Sequence, residues 1–282
     1  MKKMTILAAM ALVATTASAQ YTCDPTVETV LAKGKVTKLM TISLDASAEA
    51  QFAAQGATII AAGPNDMDRN FWIWDNTFSA GDSSLPGVGD QTDGYISLIV
   101  GTAGWSGAGF NVVDPGVDTS WWNDDTRFHL AYYSPATAPA SIALVINDAD
   151  GVNTPAKVSL GDAFNDNGAV YPAIGPKSND DWQGIDISFA DLKRIYPAFV
   201  PTASTNWKGN ILSFLAGGVA GQTLALDAIY FYQLEDQSGV QNVAIDENLP
   251  VVYYNLQGVR VDNPENGIFI ARQGSKSMKV VK

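Results

Sequence analysis

The stretch "LALDAIYFYQ", Leu224 to Gln233, is a run of apolar and aromatic residues broken by one acid, Asp227, and it gives way at once to the polar "LEDQSGVQNVAIDEN". Aromatic and β-branched density of this kind favours extended backbone. Working back from it, ten more short runs follow the same rule: Val36 to Leu44, Ala57 to Ala62, Asn70 to Trp74, Gly94 to Val100, Gly109 to Val113, Arg127 to Tyr133, Ser141 to Asn147, Ala156 to Leu160, Gly184 to Ser188 and Asn210 to Ala216. Clusters of Gly, Pro, Asn and Asp separate them. This pattern predicts an all-β sandwich or barrel. Helix signals are few. "SFADLKRIY" has Ser188 as a cap, Asp191 three residues on and Pro197 as a stop, while "DPTVETVLA" places Pro25 just inside a helical turn.

The ends have a different character. Lys2 and Lys3, the apolar run Ile6 to Val13, and Ala17-Ser18-Ala19 before Gln20 have the order of a secretory leader. Cleavage is expected after Ala19, giving a leader at 1–19. The residues before Cys23, Gln20-Tyr21-Thr22, are poor for lipid attachment. No stretch approaches the roughly 20 apolar residues of a membrane-spanning helix. Losing the leader leaves 15 of the 17 basic side chains against 29 acidic ones, a net charge of −14. Such a surface repels nucleic acid and anionic membrane. One cysteine forms no internal disulfide, so a core of 46% hydrophobic composition has to carry the stability.

One histidine and one cysteine also exclude a Cys/His zinc site within the chain. His129 alternates with Phe128 and Leu130, and is expected as an exposed strand residue on a polar face. No nucleophile elbow, phosphate loop or dinucleotide fingerprint is present. Glycoside cleavage needs two carboxylates across a cleft. Asp124/Asp125 and Asp180/Asp181 are paired but sit in turn-forming contexts, and Glu28, Glu49, Glu235, Glu247 and Glu265 fall mostly outside the central strands. A lyase set of His129, Arg127, Tyr132 and Tyr133 alternates wrongly to share one face.

Tryptophan points toward sugars, whose C–H faces stack on aromatic rings while hydroxyls seek Asn, Asp and Arg. In "DTSWWNDDTR", Trp121 and Trp122 stand adjacent among Asp118, Asn123, Asp124, Asp125 and Arg127, so ligand contact and a lid over the sandwich end are both open. Trp182 in "SNDDWQG" and Trp207 in "STNWKGN" have similar surroundings and are expected at the same rim. Trp72 and Trp74 share one face of a strand whose other face carries Phe71 and Ile73; core packing is the expectation there. "NDADG", Asn147 to Gly151, reads as a tight hairpin turn rather than a calcium loop.

Three segments, "WSGAGFNV" (Trp105 to Val112), "DISFADLK" (Asp186 to Lys193) and "LALDAIYFY" (Leu224 to Tyr232), resemble the galactose-binding-like jelly roll of carbohydrate-binding modules. The resemblance implies a jelly-roll body at 20–234 that binds a glycan or polysaccharide without cleaving it. It also implies a structural calcium ion held in part by Asp227, against the plainer reading of a strand carboxylate satisfied by neighbours. After a linker at 235–248, the tail at 249–282 carries Tyr254, Asn255, Leu256, Gly258, Arg260, Val261, Gly267, Ile268, Phe269, Ile270, Lys279 and Val280. It is similar to the C-terminal sorting-type domains of exported Bacteroidetes proteins. The apolar runs between its turns at Gln257-Gly258, "NPENG" and Gly274 predict a small three-stranded β unit, and the resemblance implies recognition by an outer-membrane secretion machinery and an extracellular or cell-surface destination. A terminal hairpin covering a sheet edge is the alternative. A structural or adhesive protein without a small ligand, and a glycan-active enzyme, are the other two functional classes.

Overall fold

The computed structural model describes residues 29–62, 71–80, 95–135, 141–149, 154–178, 180–217, 219–235, 250–273 and 276–281. The leader at 1–19, Cys23, the Asp150-Gly151 turn and the linker from 236 to 248 lie outside the described residues; of the N-terminal helical turn, residues 29–31 are described and helical. The chain divides into two compact units, 1–235 and 236–282.

The first unit is an all-β jelly-roll sandwich. One sheet has the order β13 (Gln183–Ser188), β7 (Arg127–Tyr133), β15 (Thr223–Leu234), β1 (Val36–Ser43), β2 (Thr58–Ala61). β5 (Ile96–Val100) pairs with the first half of β15, and β4 (Phe78–Ala80) pairs with β5, making seven strands. The facing sheet has six: β12 (Ala173–Gly175), β9 (Ala156–Gly161), β8 (Ser141–Asp148), β14 (Trp207–Gly217), β6 (Trp105–Val117) and the edge strand β3 (Phe71–Ile73). All eleven sequence-predicted strands are present. A hairpin of β10 (Phe164–Asp166) and β11 (Ala169–Tyr171) turns at Asn167-Gly168, where both residues have positive φ, 50° and 93°. That is the two-residue turn for which Asn-Gly is the preferred sequence.

Alternation along the strands decides what lies between the sheets. Ala108, Phe110 and Val112 of β6, Leu212 and Phe214 of β14, and Ile142, Leu144 and Ile146 of β8 meet Phe128, Leu130 and Tyr132 of β7 and Leu226, Ile229 and Phe231 of β15. The outer face of the seven-stranded sheet is buried too. There Val30, Leu44, Ala48 and Phe52 cover Leu39, Ala131, Tyr230 and Tyr232. Ala48 and Phe52 belong to α1 (Ala46–Ala54), a helix the sequence pattern does not announce, because its alanines show no sharp 3.6-residue periodicity. The second helix, α2 (Phe189–Ile195), starts where expected: the Asp191 amide donates to Ser188 Oγ at 3.0 Å.

The second unit is a four-stranded antiparallel sheet, ordered β17 (Arg260–Val261), β16 (Val251–Tyr254), β18 (Ile268–Gln273), β19 (Lys276–Val281). The expected three strands gain a fourth, the two-residue β17. Asn255 makes it possible: its side-chain oxygen accepts from the amides of Gln257 and Val259 at 3.0 and 2.9 Å, and Gly258 takes φ 80°, so the chain doubles back onto Tyr253 and Tyr254. Among its described side chains, only Phe269 and Ala271 are buried.

Phe231 joins β15 to the core, with its ring 5.0 Å from both Phe128 and Trp122. Phe231→Ala should therefore cost about 3–5 kcal/mol, read as a lowered urea midpoint with an unchanged m-value in equilibrium unfolding.

Candidate functional site

The four rim tryptophans do not form one platform. Trp122 and Trp207 are only 5% and 2% exposed, inside the core. Trp122 meets Phe189 edge-on at 5.5 Å, with Trp207 at 6.1 Å and Phe231 at 5.0 Å. The expectation that their rings meet a ligand is corrected. The reason is in the loop: Thr119 Oγ1 accepts from the Ser204 amide at 3.0 Å, and the Thr119 amide donates to the Ser204 carbonyl at 2.7 Å. This tie brings the segment before Trp207 against the segment before Trp122, and both rings plug the sandwich end. Trp121 is half-buried, edge-on to Trp122, and its indole N–H donates to the Asp118 carbonyl at 2.9 Å. Trp182 is half-buried in a different cluster, beside Tyr95 at 5.6 Å and Tyr133 at 5.9 Å.

The polar residues of that loop are dispersed. Asp124 is exposed and paired with Lys193, and Asp125 is exposed with its own amide bound to Asn123 Oδ1 at 2.9 Å. Arg127 lies on β7, where Nε donates to Asp186 Oδ1 at 2.6 Å and to Tyr232 OH at 3.0 Å, and Nη2 donates to the Asp186 carbonyl at 3.1 Å. Lys33 and Tyr232 hold the other Asp186 oxygen at 2.5 and 2.6 Å. These partners hold the Asp186 carboxyl below its usual range against the opposing effect of burial. Arg127 is thus a structural cross-link on the seven-stranded sheet.

His129 is buried, which corrects the exposed placement expected from alternation. Its side chain does point to the outer face, but that face is covered. Nδ1 sits 2.8 Å from the Ala228 carbonyl, the ring stacks on Tyr230 at 4.7 Å, and burial drives its pKa down to about 4.

Asp227 is fully buried at a β-bulge where Ala228 takes φ 47°. Oδ1 accepts from the Ala228 amide at 2.7 Å, and Oδ2 has no hydrogen-bond partner among the described residues. Burial first, then the negative charge of buried Asp45, push its pKa up to about 8. A proton on Oδ2 relieves this arrangement, and so would an oxygen-seeking cation such as calcium. The two carboxylates fit such an ion in chemistry. Among the described residues no three His, Cys, Asp or Glu side chains gather, so carbonyl or hydroxyl oxygens would complete its shell.

The outer face of the six-stranded sheet carries the feature that the sequence reading assigned to the core. Phe71 and Ile73 pack inward as expected, but Trp72 is 57% exposed, and Trp105, at the start of β6, is 40% exposed. Residues opposite each other on paired strands share a face. Trp72 opposes Gly109, Gly109 opposes Ser213, Ser213 opposes Val145, and Val145 opposes Lys157. A neighbouring row runs Asn111, Asn210, Asp148. On the other side Gly107 opposes Leu215, and the Trp74 ring lies directly over Gly107. A Cβ there would stand 2.4 Å from Trp74 Cε3 and 2.8 Å from Leu215 Cδ2. Thr77 fixes this geometry, its hydroxyl accepting from the Gly107 amide at 3.0 Å and donating to the Trp74 carbonyl at 2.7 Å. Trp105 is four residues from Gly109 along β6, roughly 13 Å at about 3.3 Å per residue. Two open rings, Trp72 and Trp105, therefore flank the Trp74 ring on this face, with Gly109, Ser213, Leu215 and the amide groups of Asn111 and Asn210 alongside.

No protein-family model matches the chain, and no curated protein matches it. Among solved structures, a family 30 carbohydrate-binding module is similar at 15% identity over 61% of this chain and 82% of that one, with a TM-score of 0.33. A family 61 module in complex with β-1,4-galactotriose is similar at 11% identity, 58% and 88% coverage and a TM-score of 0.31. An exo-β-agarase is similar at 13% identity over 60% of this chain and 23% of that one, with a TM-score of 0.35. Similarity this loose transfers no residue role.

The two buried titrations have opposite signs. Asp227, raised to about 8 from an unfolded value of ~3.9, adds stability that is complete below pH ~4 and is lost as pH rises through 8. His129, lowered to about 4 from ~6.5, adds stability that is present above pH ~6.5 and is lost as pH falls through 4. They oppose each other below pH ~6.5, and Asp227 acts alone above it. The Tm should fall between pH 6.5 and 8 in chelator, and Asp227→Asn should flatten that fall. If calcium uses this site, added calcium should restore the Tm of the parent at pH 8 and leave that of Asp227→Asn unchanged.

Proposed function

We propose that this is an exported glycan-binding protein whose ligand lies on the outer face of the six-stranded sheet. One observation carries the reading: Trp72 and Trp105 stand 57% and 40% exposed on that face, on either side of the Trp74 ring that packs over Gly107. Exposed indoles bordering a shallow polar surface suit the C–H face of a sugar, and Asn111 and Asn210 suit its hydroxyls. The roughly 13 Å along β6 from Trp105 to Gly109, the residue opposite Trp72, favours an extended chain over a single sugar. Export is supported by the leader-like residues 1–19, and the tail is proposed to engage an outer-membrane secretion machinery through the motif residues Tyr254 to Val261.

A second reading, a structural or adhesive surface protein, is favoured by the inward packing of Trp122 and Trp207. The coupled carboxylates Asp45 and Asp227 give little support to an enzyme, since both are buried away from any substrate.

A glycan array probed with the full chain separates the first two readings. Each stacking ring contributes about 0.5–1.5 kcal/mol, so Trp72→Ala/Trp105→Ala should weaken binding on the order of 10- to 100-fold with little change in Tm, both rings being exposed. Binding that survives the double substitution would remove this face from consideration. An array with no hits would favour the structural reading.

A further inference from the structure

We infer that the glycan is acidic, carrying carboxylate or sulfate groups, and that Lys157 is the side chain that selects it. The inference rests on the glycan reading of the outer face and deepens it.

Cations in this chain are outnumbered, 17 against 29, and most of those described are already committed. Lys33, Lys35, Arg127, Lys193, Arg194, Lys208 and Arg260 each have a carboxylate within ion-pair distance. Lys157 is different. It is half-buried on β9, and among the described residues it forms no ion pair; the Tyr171 ring centroid lies 5.8 Å from Nζ. Tyr171 is itself neutral and donates to Asp166 Oδ2 at 3.1 Å; burial, then the bond to Asp166, push its pKa up to about 12. The neighbouring acid is thus engaged with the phenol, and among the described residues no carboxylate pairs with the ammonium.

Its position gives that charge a use. Lys157 ends the row that begins at Trp72 and crosses Gly109, Ser213 and Val145. Four strand spacings of about 4.8 Å put the two ends roughly 19 Å apart. The long Trp and Lys side chains narrow that gap across Gly109, Ser213 and Val145. A glycan of several rings that stacks on Trp72 reaches the ammonium on the far side. A partly desolvated lysine contributes most when an anion meets it, and leaving it unmatched under a neutral ligand costs affinity. The net negative charge of the chain argues against loose attraction of polyanions, so a preference for acidic glycans would have to arise at a local cation.

The test is an array bearing neutral, uronate-containing and sulfated glycans, probed with the full chain, Lys157→Met, Lys157→Arg and Trp72→Ala, each checked for an unchanged melting temperature. The expected result is binding confined to acidic glycans, reduced about tenfold or more by Lys157→Met and kept within a few-fold by Lys157→Arg. Whether uronates or sulfated sugars respond identifies the anion. Hits confined to neutral glycans and lost in Trp72→Ala would overturn the charge preference while leaving the glycan face in place. Acidic hits that Lys157→Met binds as well as the parent would overturn the role of Lys157. An array without hits would overturn both.

Discussion

Strand β15 is buried on both faces from Leu224 to Tyr232, and this double burial governs the rest of the unit. One face closes the main core through Phe231 and Ile229, and the other is roofed by Val30, Ala48 and Phe52. Polar groups caught on the strand, or on its neighbour β7, must therefore be neutral or matched. Asp186 is matched, by Lys33, Arg127 and Tyr232 together. His129 is held neutral and Asp227 is driven toward protonation. The main perturbations of this sheet thus have one physical origin, the removal of water from its outer face.

The tryptophans sort by what lies opposite them rather than by the polarity of their sequence neighbours. Trp122 and Trp207 are flanked by Asp, Asn, Ser and Thr, yet both are buried, because those polar neighbours satisfy one another along the loop and leave the rings to fill the sandwich end. Trp72 is flanked by Phe and Ile and is exposed, because its neighbours turn inward and its cross-strand partner is Gly109, which has no side chain to cover it. Burial of a large ring depends on long-range pairing, and local composition carries little of that information.

The fold was legible where alternation and turn chemistry are local properties. All eleven central strands and the Ser188 cap could be placed from such patterns, and Asn255-Leu256-Gln257-Gly258 marks a tight turn in the same way. The elements that escaped, α1, β4, β12 and the β10–β11 hairpin, are short, and of them only the hairpin carries a strong local signal, its Asn167-Gly168 turn. The site was legible only in residue type. Tryptophan and amide side chains pointed to sugar, but the choice between Trp72 and Trp122 depends on the pairing of β3 with β6 and on the tie between Thr119 and Ser204. Neither contact leaves a trace in its own segment.

The two sheets of the sandwich differ in how their outer faces are finished, and that difference limits where a ligand can lie. The seven-stranded sheet is roofed by α1 and the residues before β1, so its outward side chains are Leu39, Ala131 and Tyr230, packed under cover. The six-stranded sheet has outward glycines at 107 and 109 in the middle of its longest strand, where a structural role alone would favour β-branched residues. A side chain at either glycine would collide, with Trp74 and Leu215 in one case and with Ser213 Oγ at 2.8 Å in the other. Glycine weakens a strand, and its use at two successive outward positions requires a compensating gain. Seating Trp74, which opens the 3-10 turn after β3, over Gly107 between Trp72 and Trp105 is such a gain, since the ring fills the space that a side chain at that position would take. The packing of Trp74 over Gly107 and of Ser213 against Gly109 is what holds both positions to glycine, and it leaves Trp72 and Trp105 open on either side.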